Sequence, residues 1–409
     1  MMNYTELEGD RITGDKDLFH VMSFGDQYLS GVFVKKGEEV TKGPMDLVWS
    51  SKSGLLQLGQ TYDLREMYGE TYGYRTGLNK SMVEHVEGIA QKLEALVDLQ
   101  EGDLVLDIGA NDGTLLKVYT KGTRLGIDPT ISKFKEYYPD GFKVVPDFFT
   151  LDNYTKAVGD QKAKIVTSIA CLYDLERPQD MIKDIATVLA DDGVWLTEQS
   201  YMPSMLKKGL YDTVCQEHLE FYSLKVIKNL VEAEGLRIID VTTNDTNGGS
   251  FAVTIAKKDS KYESNDAVIN WMLEEEKRMG LDTTLPYLEF AGKAQQHAKA
   301  LKDLLLALVA RGKKVLGYGA STKGNVLLQY AGIGKDLVPY IADVNPEKWG
   351  KVTPGTEIEI ISEEQAKEMK PDYYLVLPYH FKNGILQREK EYIKRGGKFI
   401  FPLPSIEII

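Results

Sequence analysis

The segment Val105-Leu106-Asp107-Ile108-Gly109-Ala110-Asn111-Asp112-Gly113 constrains this chain more than any other, because it joins an apolar strand to a glycine-bearing turn and then a helix. Glycine lets a backbone approach a ligand closely, and a helix N-terminus offers unpaired N–H donors. Asp107 and Asp112 would repel a pyrophosphate but suit a cationic, amino-acid-bearing ligand, so S-adenosylmethionine is the expected cofactor. Asp128, before Pro129, ends the next strand about 20 residues on, where a carboxylate can take both ribose hydroxyls. Asp147 and Phe148 follow a third strand and are expected to hold the adenine amino group and ring. The predicted cofactor site is therefore Asp107, Gly109, Asn111, Asp112, Gly113, Asp128, Pro129, Asp147 and Phe148. A plain tight turn with Asp128 as a helix cap would leave this spacing unexplained.

Around that loop the pattern is α/β. Residues 1–80 read as a small N-terminal domain with strand-like pieces at 18–21 and 28–33, and residues 81–99 read as an amphipathic helix. Short apolar strands then alternate with helices to residue 257, the last two strands antiparallel in appearance, as in a doubly wound sheet. Residues 258–311 read as helical with a break at 280–286, and a second Rossmann-like unit closes the chain to 409. With 409 residues the chain is long enough for more than one core. No apolar run reaches the roughly 20 residues of a membrane span, and the start lacks a signal-peptide layout, so a cytoplasmic protein is expected. A net charge of −12 argues against a nucleic-acid partner. Cys171 and Cys215 are too few for a disulfide framework or a thiolate metal site.

His218 lies in Tyr211-Asp212-Thr213-Val214-Cys215-Gln216-Glu217-His218-Leu219-Glu220-Phe221-Tyr222, beyond a strand that ends near Glu198. A histidine near its ordinary pKa can remove a proton from carbon beside a carbonyl, with Glu217 orienting the ring or assisting the transfer. An isolated histidine is more often a surface or capped one; its neighbours Tyr211, Asp212, Glu217 and Tyr222 favour function here. His20, His85 and His297 lack such company. Glu198, Tyr201, Tyr222, Asn247 and Ser250 are expected to line the same cleft, although Asn247-Gly248-Gly249-Ser250 would form a hairpin turn in any case.

The segments LGQTYDLREMYGETYGYRTGLNKSM, VLDIGANDGTLL, QEHLEFYSL, NGGSFAV, GYGASTKGNVLLQYAGIG, PDYYLVLPYHF and GGKFIFPLP together resemble the S-adenosylmethionine-dependent sugar C-methyltransferases. The resemblance implies a Rossmann-like class I methyltransferase domain (81–257), a Rossmann-like C-terminal domain that helps to hold a nucleotide-linked keto-sugar (258–409, with its helical linker), and an N-terminal domain that usually binds zinc. Ser50 and Ser53 stand where the family has cysteines, and serine is not a practical zinc ligand, so the metal is expected to be lost. By the same resemblance His218 is the base that forms an enolate, Glu217 assists, and Tyr72, Tyr74 and Arg75 belong to a tyrosine-containing stretch, of which one tyrosine, Tyr72, hydrogen-bonds the enolate or flanks the base. Tyr318, Ser321, Lys323 and Asn325, in the glycine-bearing loop from Gly317, suit a diphosphate, and Tyr379 and His380 are expected at the nucleotide. The competing readings are O- or N-methylation of the sugar, a silent nucleotide-sugar-binding protein, and a nicotinamide-dependent oxidoreductase using that loop with Asp343. The expected assembly is a monomer or homodimer.

Overall fold

The computed structural model describes residues 4–67 and 74–409. Near the N-terminus β1 (Leu18–Tyr28), β2 (Lys42–Ser50) and β3 (Leu56–Leu58) pair antiparallel. β2 alternates, burying Met45, Leu47 and Trp49, as one-sided burial requires. The expected strand at 28–33 is not formed: only Tyr28 is in β1, and the residues after it turn. Side chains from elsewhere take their backbone groups, with Gln216 Oε1 accepting from Ser30 N (3.3 Å) and Asn325 Nδ2 donating to Ser30 O (2.7 Å). A fourth strand of this sheet, Glu220–Phe221, arrives from far along the chain and pairs with β3.

Helix α1 (Lys80–Val97) starts where the Asn79 side chain accepts from Ser81 N, and it buries Val86, Ile89, Ala90, Leu93 and Val97. A left-handed Asp98 (φ 52°) ends it. The central sheet follows: β4 (Leu104–Ile108), β5 (Thr123–Ile127), β6 (Lys143–Val145) and β7 (Ala163–Ile169), then α2 (Pro178–Val188), β8 (Leu189–Ser200), β9 (Leu236–Asn244) and β10 (Ser250–Lys257). All five residues of β4 are buried, as expected of a strand covered on both faces. The strand order is β9-β10-β8-β7-β4-β5-β6, parallel except that β10 runs against both neighbours. Order reverses on either side of β4, and an α/β sheet opens its ligand crevice at such a switch point, beyond the strand C-termini.

Helices α3 (Asp266–Arg278) and α4 (Leu285–Ala310) bracket the expected break. The second parallel sheet comprises β11 (Val315–Tyr318), then, after α5 (Thr322–Ala331), β12 (Tyr340–Asp343), β13 (Glu359–Ser362), β14 (Tyr373–Val376) and β15 (Lys398–Phe401), ordered β15-β14-β11-β12-β13. Val34–Lys35 extends this sheet through Lys351–Val352, so the N-terminal segment contributes to it. Side chains of β1 and β2, residues 202–221, α4 and the C-terminal sheet form one continuous apolar cluster. Among the described residues, no helix is long and apolar enough to cross a membrane.

Candidate active site

A cavity of about 790 Å³ lies beyond the C-terminal ends of β4, β5, β7 and β8. Its wall takes Asp107 to Asn111 from the first loop, Asp128 and Pro129 from the second, and Phe148 from the third. The same wall includes Glu217 and His218, Gly31 and Phe33 of the N-terminal segment, and Ala320 to Lys323 with Lys348 of the C-terminal unit.

In the first loop Gly109 (φ 75°) and Gly113 (φ 71°) adopt left-handed backbone. A Cβ on Gly113 would lie 2.7 Å from the Tyr138 ring, whose hydroxyl donates to Asn111 O (3.0 Å). Asp128 ties the two loops together: Oδ2 accepts from Asn111 N (2.9 Å), and Oδ1 accepts from Thr130 N and Oγ1 (2.6 Å each). It thus fixes the turn into Thr130 and also borders the cavity, because a carboxylate has lone pairs to spare. Asp107 accepts from Thr167 Oγ1 (2.6 Å). Burial, together with the charge of Asp128, pushes its carboxyl up to about 7. Two buried acids facing one space favour a ligand that carries positive charge.

Several predicted residues do other work. Asp112 is turned away from the cavity and grips the preceding segment, Oδ2 accepting from Gly77 N (3.0 Å), while Asn111 Oδ1 accepts from Thr76 N (3.0 Å). Tyr74 lines the cavity beside them; Arg75 instead stacks its guanidinium 4.1 Å from the Tyr137 ring centroid. Asp147 is exposed and accepts from Phe148 N (2.8 Å). Tyr72 lies outside the described residues.

His218 packs on Tyr173, ring centroids 4.3 Å apart. Its Nδ1 is 2.8 Å from Thr213 O, and a carbonyl can only accept, so Nδ1 carries the proton and Nε2 is left as the acceptor. The Thr213 carbonyl, not Glu217, therefore orients the ring. Burial, and then the charge of Lys323, push His218 down to about 3, while burial pushes Glu217 up to about 7. Cys215, Glu217 and His218 bring their ligand atoms within 4.8 Å of one another, but the positive charge of Lys323 bears on the same cluster and opposes a cation there.

Glu198 and Ser250 reach the cavity. Glu198 is paired, accepting from His85 Nε2 (2.6 Å) and Asn244 Nδ2 (3.0 Å), and this bond holds His85 above its ordinary pKa. His85 and His297 do have company, contrary to expectation, for His297 bridges Tyr211 OH (3.1 Å) and Pro402 O (2.6 Å). Asn247 sits in the turn 246–248 that joins β9 to β10.

The structure does not bring Tyr201, Tyr222, Tyr318, Asn325, Tyr379 or His380 to the cavity wall. Their rings and amide lie inside the protein, where a polar tip needs a fixed partner. Tyr201 donates to Glu276 (2.8 Å), Tyr222 to Glu220, Tyr318 to Glu389 (3.1 Å), and Tyr379 to Asp212 (3.3 Å). Asn325 holds the Ser30 carbonyl, and His380 packs against Phe381 at 4.2 Å between centroids. Ser321 and Lys323 do line the cavity at the start of α5, where Ser321 Oγ accepts from Gly324 N (3.1 Å). Asp343 fastens that loop, its two oxygens accepting from Ala320 N and Asn345 N (2.7 Å each). Gly31, Phe33, Tyr173 and Lys348 were missed by sequence reasoning, since no motif marks them.

Residues 82–241 match the sequence model of the Methyltransferase domain, and residues 245–404 match that of the C-methyltransferase C-terminal domain. The C-methyltransferase NovU of Streptomyces niveus is 32% identical over 412 residues, covering 98% of this chain and 96% of that protein. The chain belongs to the S-adenosylmethionine-dependent C-methyltransferases. Solved structures similar to this C-methyltransferase include an S-adenosylmethionine-dependent methyltransferase from Clostridium acetobutylicum (10% identity, 43% of this chain and 92% of that one, TM-score 0.33). Another is the 1,6-didemethyltoxoflavin-N1-methyltransferase of Burkholderia thailandensis with S-adenosylhomocysteine bound (13%, 45% and 81%, TM-score 0.34). Membership sets aside oxygen or nitrogen methylation and the nicotinamide reading for this C-methyltransferase. Zinc does not fit at Ser50, whose Oγ donates to Asp10 Oδ2 (3.0 Å) in a hydrogen-bonded group with Thr13 and Gln57.

Proposed function

We propose that this C-methyltransferase acts on a nucleotide-linked keto-sugar, with His218 as the base that forms an enolate. The observation that carries this reading is the Thr213–His218 bond, which leaves Nε2 as acceptor in a cavity shared by the acidic loops and the start of α5. When bound, S-adenosylmethionine supplies an electrophilic methyl on a sulfonium. Asp107, with Gly109 and Asn111, forms the cationic-ligand end, Asp128 is the carboxylate for the ribose hydroxyls, and Pro129 and Phe148 offer apolar surface beside it.

In the same cavity Lys323 and the N–H groups that open α5 suit a diphosphate. A base held near 3 is too weak for a carbon acid. Burial is the larger cause of that depression and the positive charge of Lys323 the second, so a diphosphate settling on Lys323 relieves the electrostatic part and raises the basicity of His218. The proton leaves the carbon beside the keto group for His218 Nε2, and Glu217 stands ready to accept it onward. Tyr72, assigned from sequence alone, donates to the developing enolate oxygen.

The test is a panel of nucleotide-linked 4-keto-sugars with S-adenosylmethionine, read by mass spectrometry for a product heavier by one methylene. His218→Ala is expected to lose at least about 100-fold in turnover with cofactor affinity unchanged by calorimetry. A variant with full turnover would remove the assigned base.

A further inference from the structure

Gly31 sits against the carboxylate of Glu217. A Cβ built on Gly31 would fall 2.0 Å from Glu217 Oε1 and 3.2 Å from its carboxyl carbon. Gly31 is not in the left-handed region, so the demand for glycine is one of space rather than backbone conformation. The obstructing atom is the free end of a flexible side chain, so a methyl at this position can be accommodated only by moving the carboxylate.

The segment around Gly31 is fixed from two sides. Gln216, next to Glu217 in sequence, accepts from Ser30 N and Ser30 Oγ (3.3 and 3.0 Å) and donates to Tyr28 O (3.1 Å). From α5, Asn325 donates to Ser30 O (2.7 Å), and Gln329 both accepts from Tyr28 N (2.8 Å) and donates to Tyr28 O (3.2 Å). Gly31 and Phe33 then form cavity wall between Glu217 and the start of α5. A surface connection would need none of these bonds.

We propose that residues 28–33 are a positioning strap for Glu217, with Gly31 the residue that admits the carboxylate to the cavity. The N-terminal segment is thereby a working part of the active site, clamped at once to the loop of the base and to the helix assigned to the substrate. Gly31 acts through Glu217 and is a positioning residue. The inference rests on the proposed role of Glu217 only for its kinetic consequence, not for its geometry.

The experiment is a double-mutant cycle in the full chain with Gly31→Ala and Glu217→Gln. Gly31→Ala is expected to fold, to bind S-adenosylmethionine as the wild type does, and to lose about 100-fold in kcat, the lower end of the usual range for acid–base assistance. The loss should match that of Glu217→Gln and should not add to it in the double variant, as residues acting through one another behave. Full additivity, or turnover within twofold of wild type while Glu217→Gln is impaired, overturns the strap. If Glu217→Gln is itself silent, the assisting role of Glu217 has failed, and a crystal structure of Gly31→Ala decides the strap separately. A carboxylate displaced from its place supports it; one within about 0.5 Å of its original position, the tolerance of a working site, overturns it.

Discussion

On the proposed cofactor reading, Asp107 couples protonation to ligand binding. Its folded carboxyl is raised above the unfolded value of 3.8 to about 7, by burial first and Asp128 second. A raised acid keeps its proton in the native state, so its contribution to the stability of the free protein is full below 3.8 and is lost as pH rises through about 7. A cationic ligand reverses the preference by favouring the carboxylate. Affinity for S-adenosylmethionine should therefore increase as pH rises toward about 7 and level off above it, with proton release below 7, and Asp107→Asn should flatten that dependence. Calorimetry in buffers of different ionisation heat reads both quantities; equal pH dependence in wild type and variant would refute the coupling.

Among the elements, α5 carries the C-terminal contribution. Ser321 caps it, Lys323 follows within its first turn, and Asp343 at the end of β12 locks the loop before it. Removing the cap should cost stability without abolishing the site: Ser321→Ala is expected to destabilise by about 1 kcal/mol in chemical unfolding. Lys323→Met is expected to weaken binding of a nucleoside diphosphate by about 10-fold or more, the worth of a charge-assisted hydrogen bond, with S-adenosylmethionine binding intact. Diphosphate binding that survives Lys323→Met would move that subsite away from α5.

At the scale of the whole molecule the three stretches of chain are interleaved. Val34–Lys35 lies in the C-terminal sheet, Glu220–Phe221 lies in the N-terminal sheet, and Val21, Phe24, Met45 and Leu47 share one core with α4 and β11. Each fully buried side chain of that size contributes about 1.5–3 kcal/mol, so removing residues 1–80 exposes apolar surface that marginal stability cannot absorb. The truncated chain is expected to aggregate, or to lose its cooperative thermal transition in circular dichroism. A monomeric, cooperatively folding fragment 81–409 would show instead that the N-terminal segment is an accessory.

The parallel strands were legible because a continuous apolar run flanked by glycine has few other uses, and the acids and glycines at fixed spacing pointed to the loop whose residues Asp107 to Asn111 line the cavity. The helix at 80–97 followed from the period of its apolar residues. Six of the polar residues expected to line the substrate cleft were not legible as structural, because Tyr201 and Glu276, or Tyr379 and Asp212, meet only after the chain has folded. Gly31 carries no local signal at all: its meaning is the space it leaves for a carboxylate 186 positions away, and the Ser30–Gln216 bond beside it spans the same separation. Local patterning is set by the near neighbours of each residue, so the sequence by itself determined most of the helices and parallel strands, the family resemblance and the cofactor class, but not the path of residues 28–33. Which side chains share the cavity, and which are bound to buried partners elsewhere, depends on contacts between distant segments, and only the tertiary structure decided it.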